Sequence, residues 1–322
     1  MSPKIDIIIP IYNVEKYLDQ CLSSVAAQTL HNIRLLCVDD GSTDGSGLLL
    51  DSYAKKDSRF VVINQQNAGY GAAMNRGLSM AEAEYVGIVE PDDFVDPVCF
   101  EALYRLATLI PQIDIAKFAY NEYYDLPNGT HRIVPSQSSK VESHLAPFKA
   151  AYFPDLLLYH PSIWSAIYRR SFLEENCLRF VEAPGAGWTD NPFFIAAFSL
   201  AEKIVWSSDR HYYYRMTNQN SSSNLKDCTI PLLRALDMLD FLDATSTVPS
   251  SIQQSVFKRC INYVQVVTAH PLYSPQDHNF LICRVMSRLP QNIQNKRLFY
   301  VGRKTTPSNF FDPIHKKGSI AE

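Results

Sequence analysis

The chain has 322 residues, 46% of them hydrophobic, and a formal net charge of -3 at pH 7. A charge balance this close to neutral argues against a nucleic-acid-binding function. The seven cysteines are scattered without a CxxC pair, which argues against a disulfide framework or a zinc site. The first residues lack the pattern of a signal peptide and no apolar run approaches transmembrane length, so we expect a cytoplasmic protein.

The first third of the chain alternates between buried strands and helices. Nearly unbroken apolar and branched residues predict strands at 5–11, 34–38, 60–64 and 85–89. Helical apolar spacing fills the intervening segments, and Asn13 is a candidate N-cap for the first helix. Four such alternations with short connections predict right-handed βαβ units, hence an α/β fold with a mainly parallel sheet.

Polar residues follow the end of each predicted strand. In strand order they are Tyr12 and Asn13, Asp39 and Asp40, Asn67, and Asp92 and Asp93. Because the carboxyl ends of parallel strands share one edge of a sheet, these residues predict a nucleotide-type cleft there. Neither a P-loop lysine pattern nor a GxGxxG after the first strand is present. A cation would therefore have to neutralise bound phosphates.

Asp92 and Asp93 are the residues on which that cation would depend. Adjacent carboxylates repel each other unless a positive charge lies between them, and Mg²⁺ or Mn²⁺ prefers such oxygen ligands. A solvated acidic turn before the next helix is the competing interpretation, and the pair alone leaves both open.

The rest of the chain is less regular. Residues 125–147 are rich in Pro, Gly, Ser and His and predict a loop, whereas 161–170 predict a strand that leads into a helix. Asp190 precedes an apolar helical segment and is a candidate cap for it. Beyond residue 230 the pattern predicts helices, the last of them at 280–289.

Several ordered motifs make the first 120 or so positions resemble a family 2 glycosyltransferase of the GT-A fold. They are IIIPIYN at 7–13, QTL at 28–30, VDDGSTD at 38–44, NAGYGAAMN at 67–75 and EPDD at 90–93. The resemblance implies inverting transfer of a hexose from a UDP-sugar to a glycan, lipid-linked or protein-linked acceptor, assisted by Mn²⁺ or Mg²⁺. It also implies a GT-A domain over 1–225, with donor binding in 1–120, acceptor binding in 121–225 and a helical region over 226–322.

Matching positions carry the family's donor and metal roles. The implied nucleotide-sugar contacts are Pro10, Tyr12, Asn13, Asp39, Asp40, Asn67, Asn75, Asp92 and Arg215. The resemblance makes Asp93 the direct metal ligand, with Asp92 contacting metal or ribose. Two departures stand out, because Glu90 replaces the commoner aspartate and Met74 stands where many relatives carry arginine.

Acceptor-side roles fall further along the chain. Asp190 lies where family members carry the general base, and a base is needed because the acceptor hydroxyl must lose its proton. Thr189 takes the position before it, where relatives often have a second acid. Trp164 and Trp188 are candidate platforms for the acceptor sugar, and buried packing is the alternative for Trp164.

Two other functions stay open at this point. A nucleotidyltransferase on a related fold would need a glycine-rich, basic first loop, which residues 10–13 do not supply. A degenerate, non-catalytic nucleotide-binding subunit is kept open by Met74, Glu90 and Thr189. The C-terminal helices are candidates for a homo-oligomer contact, and the basic tail from Lys296 is either solvated or in peripheral contact with the inner face of the membrane.

Overall fold

The computed structural model describes residues 2–185, 187–219 and 225–294. The basic tail from Lys296, the candidate for membrane contact, lies outside the described residues. The strands are β1 Ile5–Ile11, β2 Ile33–Asp39, β3 Phe60–Asn64, β4 Tyr85–Ile88, β5 Phe94–Val95, β6 Ile115–Phe118, β7 Asn121–Asp125, β8 His131–Pro135, β9 His144–Phe148, β10 Ala166–Arg169, β11 Ile204–Ser207 and β12 Tyr212–Arg215. The helices are α1 Glu15–Ala26, α2 Ser46–Ala54, α3 Tyr70–Met80, α4 Cys99–Thr108, α5 Arg170–Glu175, α6 Asp190–Leu200, α7 Thr229–Ala244, α8 Ser250–Ala269, α9 Pro275–Ser287 and α10 Gln291–Gln294.

The main sheet has the strand order β3-β2-β1-β4-β10-β6-β11-β9. Strands β3, β2, β1 and β4 are mutually parallel, as predicted, and β10 runs antiparallel to both of its neighbours. All seven residues of β1 are buried, and helix α3 packs against this central strand. The parallel strands end together, so the loops after β1, β2, β3 and β4 meet at one edge.

A smaller sheet with the order β5-β12-β7-β8 continues beyond that edge. Strand β5 follows β4 in the chain, β7 follows β6, and β12 follows β11. The small sheet therefore stands next to the acidic residues that follow β4, and its strand β12 pairs with both β5 and β7.

Residues 125–147, predicted as a loop, instead contain β8 and β9. Strand β8 lies at the edge of the small sheet, and its residues are almost all exposed. Such a strand lacks the alternating apolar pattern by which strands are recognised. The last predicted helix also begins earlier than expected, at Pro275, because its first turn is polar.

The C-terminal helices pack onto the α/β part of the chain. Helix α7 contacts α6 and α8, and α8 also contacts a short 3₁₀ turn at 154–158. Buried apolar residues form one cluster that extends from Ile5 to Leu289. The proposed boundary at residue 225 stays a prediction. In the part of the chain that the structure describes, no helix is both long and apolar enough to cross a membrane.

Candidate active site

The loops after β1 and β2 are joined through Asn13. Its backbone N–H donates to Ser42 Oγ at 3.1 Å, and its Oδ1 accepts from the Thr43 N–H at 2.7 Å. Asn13 is therefore not the cap of α1, which begins at Glu15 with Val14 at the N-cap. Asp39 accepts from the Ser42 N–H at 2.8 Å and so also stabilises the loop after β2.

Asp40 holds the loop after β3. Its side chain is buried, and its two oxygens accept from Gln65 Nε2 at 2.7 Å and from the N–H groups of Ala68 and Gly69 at 2.9 Å. Asn67 is exposed within this loop. The Asp40 carboxylate thus shapes the loop that carries Asn67.

Pro10 and Tyr12 lie at the same edge of the sheet. Pro10 is buried in β1 and pairs in register with Val38, whereas Tyr12 is 50% exposed just beyond the strand. Tyr12 is therefore the aromatic ring at this edge that a nucleotide base could contact. Met74 lies on α3 and is fully buried, so its side chain takes no place in the cleft.

Asn75 fastens the segment that leads to Asp190. Its Nδ2 donates to Phe180 O and to Glu182 Oε1, both at 2.9 Å, and its Oδ1 accepts from the Phe180 N–H at 2.8 Å. The backbone approach is close, since a Cβ at Gly71 would lie 2.0 Å from Val181 O. Only glycine allows the start of α3 to approach this segment so closely.

Asp93 is fully buried, and both of its oxygens are engaged. Oδ2 accepts from the Tyr212 hydroxyl at 2.9 Å, and Oδ1 accepts from the Arg215 N–H at 2.7 Å. Burial raises the pKa of Asp93 well above its usual range, and the nearby charge of Asp92 adds to the rise. Asp93 links the turn after β4 to β12.

Arg215 is also buried within this link. Its Nε donates to Asp92 O at 2.8 Å, and its two other nitrogens donate to Asp125 and Gln20. Its guanidinium also lies over the ring of Tyr17, 4.8 Å from the centroid. These contacts direct the guanidinium into the protein, an arrangement that does not favour its predicted phosphate contact.

Glu90 and Asp92 line the cleft beside this link. Tyr70, on α3, donates its hydroxyl to Glu90 Oε1 at 2.7 Å, and Asn218 donates to Asp92 Oδ2 at 2.7 Å. Burial raises the pKa of Asp92, and it raises the pKa of Glu90 to about 8. The negative charges of Asp92 and Asp190 add to the rise at Glu90.

Asp190 is the first residue of α6, with Thr189 at the N-cap, so the prediction that Asp190 caps this helix is wrong. Burial raises the pKa of Asp190 to about 6, while the charge of Arg259 and the amide of Asn191 act in the opposite direction. The charge of Asp190 also raises the pKa of Glu90 and of Tyr70, and the Tyr70 N–H donates to Gly185 O at 3.0 Å, so these groups lie near one another.

The two candidate acceptor tryptophans lie in different surroundings. Trp164 is 3% exposed and stacks on Tyr212 at 4.1 Å between ring centroids, so it offers no open face to a sugar and its predicted role is not supported. Trp188 is half-buried, two residues before Asp190, and packs edge-on against Tyr263. It stays a candidate.

Several contacts of this cleft have no counterpart in the predicted site. They come from Tyr70, Tyr212, Asn218, Asn191 and Arg259. A signal for Arg259 was present in the sequence, because it interrupts the apolar stripe of α8 formed by Ile252, Val256 and Tyr263. A charged residue on an otherwise buried stripe indicates a specific buried partner.

Asp92 is the carboxylate that best fits a divalent ion. Within residues 2–185, 187–219 and 225–294, no three or more His, Cys, Asp or Glu side chains are grouped to hold a metal. Asp92 is half-buried and accepts a hydrogen bond from Asn218 at Oδ2, whereas Asp93 is fully buried with both of its oxygens engaged. Mg²⁺-type ions often take one or two carboxylates and complete their coordination with substrate phosphates and water. The residues fit such a shared ion.

A known sequence family matches the first part of this chain. The profile described as Glycosyl transferase family 2 matches residues 6–177, more than half of the chain. The chain belongs to glycosyl transferase family 2. The matched region contains β1 to β4 and the acidic cluster and ends before Asp190.

Individual members of glycosyl transferase family 2 extend the comparison. The "Uncharacterized glycosyltransferase EpsJ" of Bacillus subtilis (strain 168) is 33% identical over 230 residues, which cover 70% of this chain and 64% of that protein. The chain therefore spans less than two thirds of this relative's length.

Solved structures resemble this family 2 chain along most of its length. S. aureus TarS 1-349 in complex with UDP-GlcNAc has a TM-score of 0.70 at 21% identity, over 90% of this chain and 82% of that chain. A mannosyltransferase from Pyrobaculum calidifontis in complex with GDP-Man and Mn2+ has a TM-score of 0.57 at 13% identity, over 97% and 85%. These likenesses confirm the predicted α/β GT-A type fold with its helical C-terminal region.

Proposed function

We propose that this protein is an inverting glycosyltransferase that transfers a hexose from a UDP-sugar to a hydroxyl of a glycan, lipid-linked or protein-linked acceptor. One observation carries the proposal: Tyr70 donates its hydroxyl to Glu90 and its N–H to Gly185 O, and so brings the segment before Asp190 next to the acidic residues Glu90 and Asp92. Burial raises the pKa of Asp190 to about 6, and a general base is most effective when its pKa lies near the working pH.

The reaction assigned to this cleft is a single displacement. Asp190 takes the proton of the acceptor hydroxyl as the oxygen attacks the anomeric carbon. A new glycosidic C–O bond forms, and the bond from the anomeric carbon to the nucleoside diphosphate breaks. The diphosphate leaves with the electron pair of that bond. One displacement inverts the configuration at the anomeric carbon.

Asp92 is the residue proposed to hold a divalent ion, Mn²⁺ or Mg²⁺. When bound, such an ion stabilises the negative charge of a departing diphosphate as a Lewis acid. Asp93, buried against Tyr212 and Arg215, is assigned a different part from the direct ligation predicted from the motif. It fixes the turn on which Asp92 stands.

Donor binding is proposed at the ends of β1, β2 and β3. Tyr12 contacts the base, and the loops held by Asn13, Asp39 and Asp40 surround the nucleotide. Support for a UDP-sugar comes from TarS, which was solved with UDP-GlcNAc. We place the reaction in the cytoplasm, where nucleotide-sugars would meet an acceptor for cell-surface polysaccharide.

A donor screen tests the proposed activity. The protein is incubated with UDP-glucose, UDP-galactose, UDP-GlcNAc and GDP-mannose, with Mn²⁺ or with EDTA, and released nucleoside diphosphate is measured. We expect metal-dependent release from a UDP-sugar and its acceleration by an acceptor glycan. Pyrophosphate release from UTP and a sugar 1-phosphate would instead identify a nucleotidyltransferase. Tight UDP binding without turnover of any donor would identify a non-catalytic subunit.

A further inference from the structure

We propose that Arg259, on α8, is a positioning residue for the catalytic base: through the Asn191 amide it fixes the first turn of α6 and the orientation of Asp190. This inference rests on the function proposed above, since it concerns the group assigned as the base. It gives the C-terminal helices a role in catalysis, although the donor-binding motifs lie elsewhere in the chain.

Arg259 joins three separate segments inside the protein. It is 1% exposed, and its Nη1 donates to Leu157 O at 2.7 Å and to Tyr159 O at 3.0 Å. Its Nη2 donates to Asn191 Oδ1 at 2.5 Å, and its Nε donates to the Tyr263 hydroxyl at 3.2 Å. A buried charge is tolerated where hydrogen bonds replace its hydration, and these contacts supply them.

The chemistry of arginine decides which way the Asn191 amide faces. A guanidinium has only donors, so it must be met by the amide oxygen of Asn191 and not by its nitrogen. The Tyr263 hydroxyl donates to the same oxygen. The Asn191 Nδ2 is thereby turned to the other side, where it donates to Asp190 Oδ1 at 3.0 Å.

These hydrogen bonds connect Arg259 on α8, through the Asn191 amide, to the carboxylate of Asp190. A neutral donor at the carboxylate favours its ionised form, and the charge of Arg259 acts in the same direction, so both lower the pKa of Asp190 against the effect of burial. The other titratable groups that interact electrostatically with Asp190 are Tyr70 on α3, Glu90 after β4, Tyr168 on β10 and Tyr263 on α8. Arg259 is the cation among these groups.

The first test replaces the charge and keeps the bulk. In Arg259→Met we expect kcat to fall on the order of 10- to 100-fold, since small displacements of a catalytic group have effects of this size. We also expect the acid limb of the kcat–pH profile to move up by roughly one pH unit. The KM for the nucleotide-sugar should stay near its wild-type value, and Arg259→Lys should recover part of the activity.

Asn191→Asp separates positioning from packing. The substitution keeps the volume and the acceptor for Arg259, but it replaces the donor that faces Asp190 with a second carboxylate oxygen. We expect a reduced kcat and an acid limb shifted to higher pH, because the second carboxylate repels the charge of Asp190. A residue that mattered for packing alone would leave kcat and the pH profile unaffected.

Arg288→Met is the matched control. Arg288 lies after α9 and pairs with Asp240 and Asp243, both on α7. It should reproduce any general effect of removing an arginine from the C-terminal helices without moving the pH profile.

The outcomes distinguish this inference from the function on which it rests. Wild-type kcat and pH profile in both Arg259→Met and Asn191→Asp, together with an inactive Asp190→Asn, would overturn the positioning role alone. Full activity of Asp190→Asn would overturn the assignment of the base. If Arg259→Met turns over too slowly for a profile, its crystal structure should show the Asn191 amide displaced from Asp190, and an unmoved first turn of α6 would count against the proposal.

Discussion

The two sides of the cleft are held in place by different kinds of contact. On the side of β1 to β3, the residues that shape the loops are 25 to 30 positions apart in the chain, as in Asn13 with Thr43 and Asp40 with Gly69. On the side of Asp190 the partners are distant, with Asn75 and Phe180 separated by 105 positions and Arg259 and Asn191 by 68. The first side is built by neighbouring loops of one sheet, and the second depends on the assembly of the whole chain.

Loss of the base should have the largest effect. We expect Asp190→Asn to lower kcat by about 10²- to 10⁴-fold, the usual contribution of a positioned general base, while the Kd for UDP measured by calorimetry stays near wild type. Asp51→Asn, at an exposed carboxylate on α2, is the control and should turn over normally. A weakened UDP affinity in Asp190→Asn would show that the two sides are not separable in this way.

Substitutions of the adjacent residues Asp92 and Asp93 should have different effects. Asp92→Ala should weaken apparent Mn²⁺ affinity by more than about 100-fold, since losing even the supporting partners of metal ligands costs 10- to 100-fold. Asp93→Ala should lower the free energy of unfolding by about 2 kcal/mol, because it leaves the buried Tyr212 hydroxyl and Arg215 N–H without their acceptor. Metal titrations and urea denaturation measure the two effects, and an exchange of phenotypes would reverse the assignment.

Substitution of Asn75 tests whether the start of α3 acts on the Asp190 side or on the donor side of the cleft. If the Asn75 side chain holds residues 180–182, which lead to Asp190, then Asn75→Ala should lower kcat by roughly 10-fold and change the donor KM little. Asn32→Ala, at the opposite edge of the sheet, is the matched control. A raised donor KM at unchanged kcat would restore the donor contact predicted from the motif.

Substitution of Trp188 should have the smallest effect on the kinetics. As an acceptor platform it would contribute an aromatic contact of about 0.5–1.5 kcal/mol, so Trp188→Leu should raise the acceptor KM by roughly 2- to 12-fold. The donor KM and the melting temperature serve as internal controls. An unchanged acceptor KM would leave Trp188 as a packing residue against Tyr263.

The sequence predicted the parallel strands and the loops at their ends because those features are local. The β3 bounds were predicted to the residue, and β1 likewise, since both are apolar runs bounded by polar residues. Strand β8 was missed because an exposed edge strand carries no apolar alternation. Local patterns are therefore sufficient for the four parallel strands and the edge at which they end, but not for β8 and β9.

The contacts that determine the roles of individual motif residues could not be predicted from local sequence patterns. Arg215 was expected at a phosphate, but its partners Gln20 and Asp125 come from distant segments that bury it. Buried packing of Trp164 was the expected alternative to an acceptor platform, but its stacking partner Tyr212 could not be predicted. Arg259 lies beyond every recognisable motif, and its partner Asn191 becomes visible only when α8 packs near α6.

The pH dependence of kcat/KM for the acceptor is the most direct test of the central claim, that Asp190 is the general base and that burial raises its pKa toward the working pH. A base acts in its ionised form, and burial raises the pKa of Asp190 to about 6, so protonation below that pH should remove activity. Because kcat/KM reports the pKa of the enzyme without bound acceptor, we predict that kcat/KM for the acceptor has a plateau above pH 7 and falls about tenfold per pH unit below about 6. A kcat/KM that stays constant from about pH 7 down to about pH 5, well below that pKa, would contradict the account.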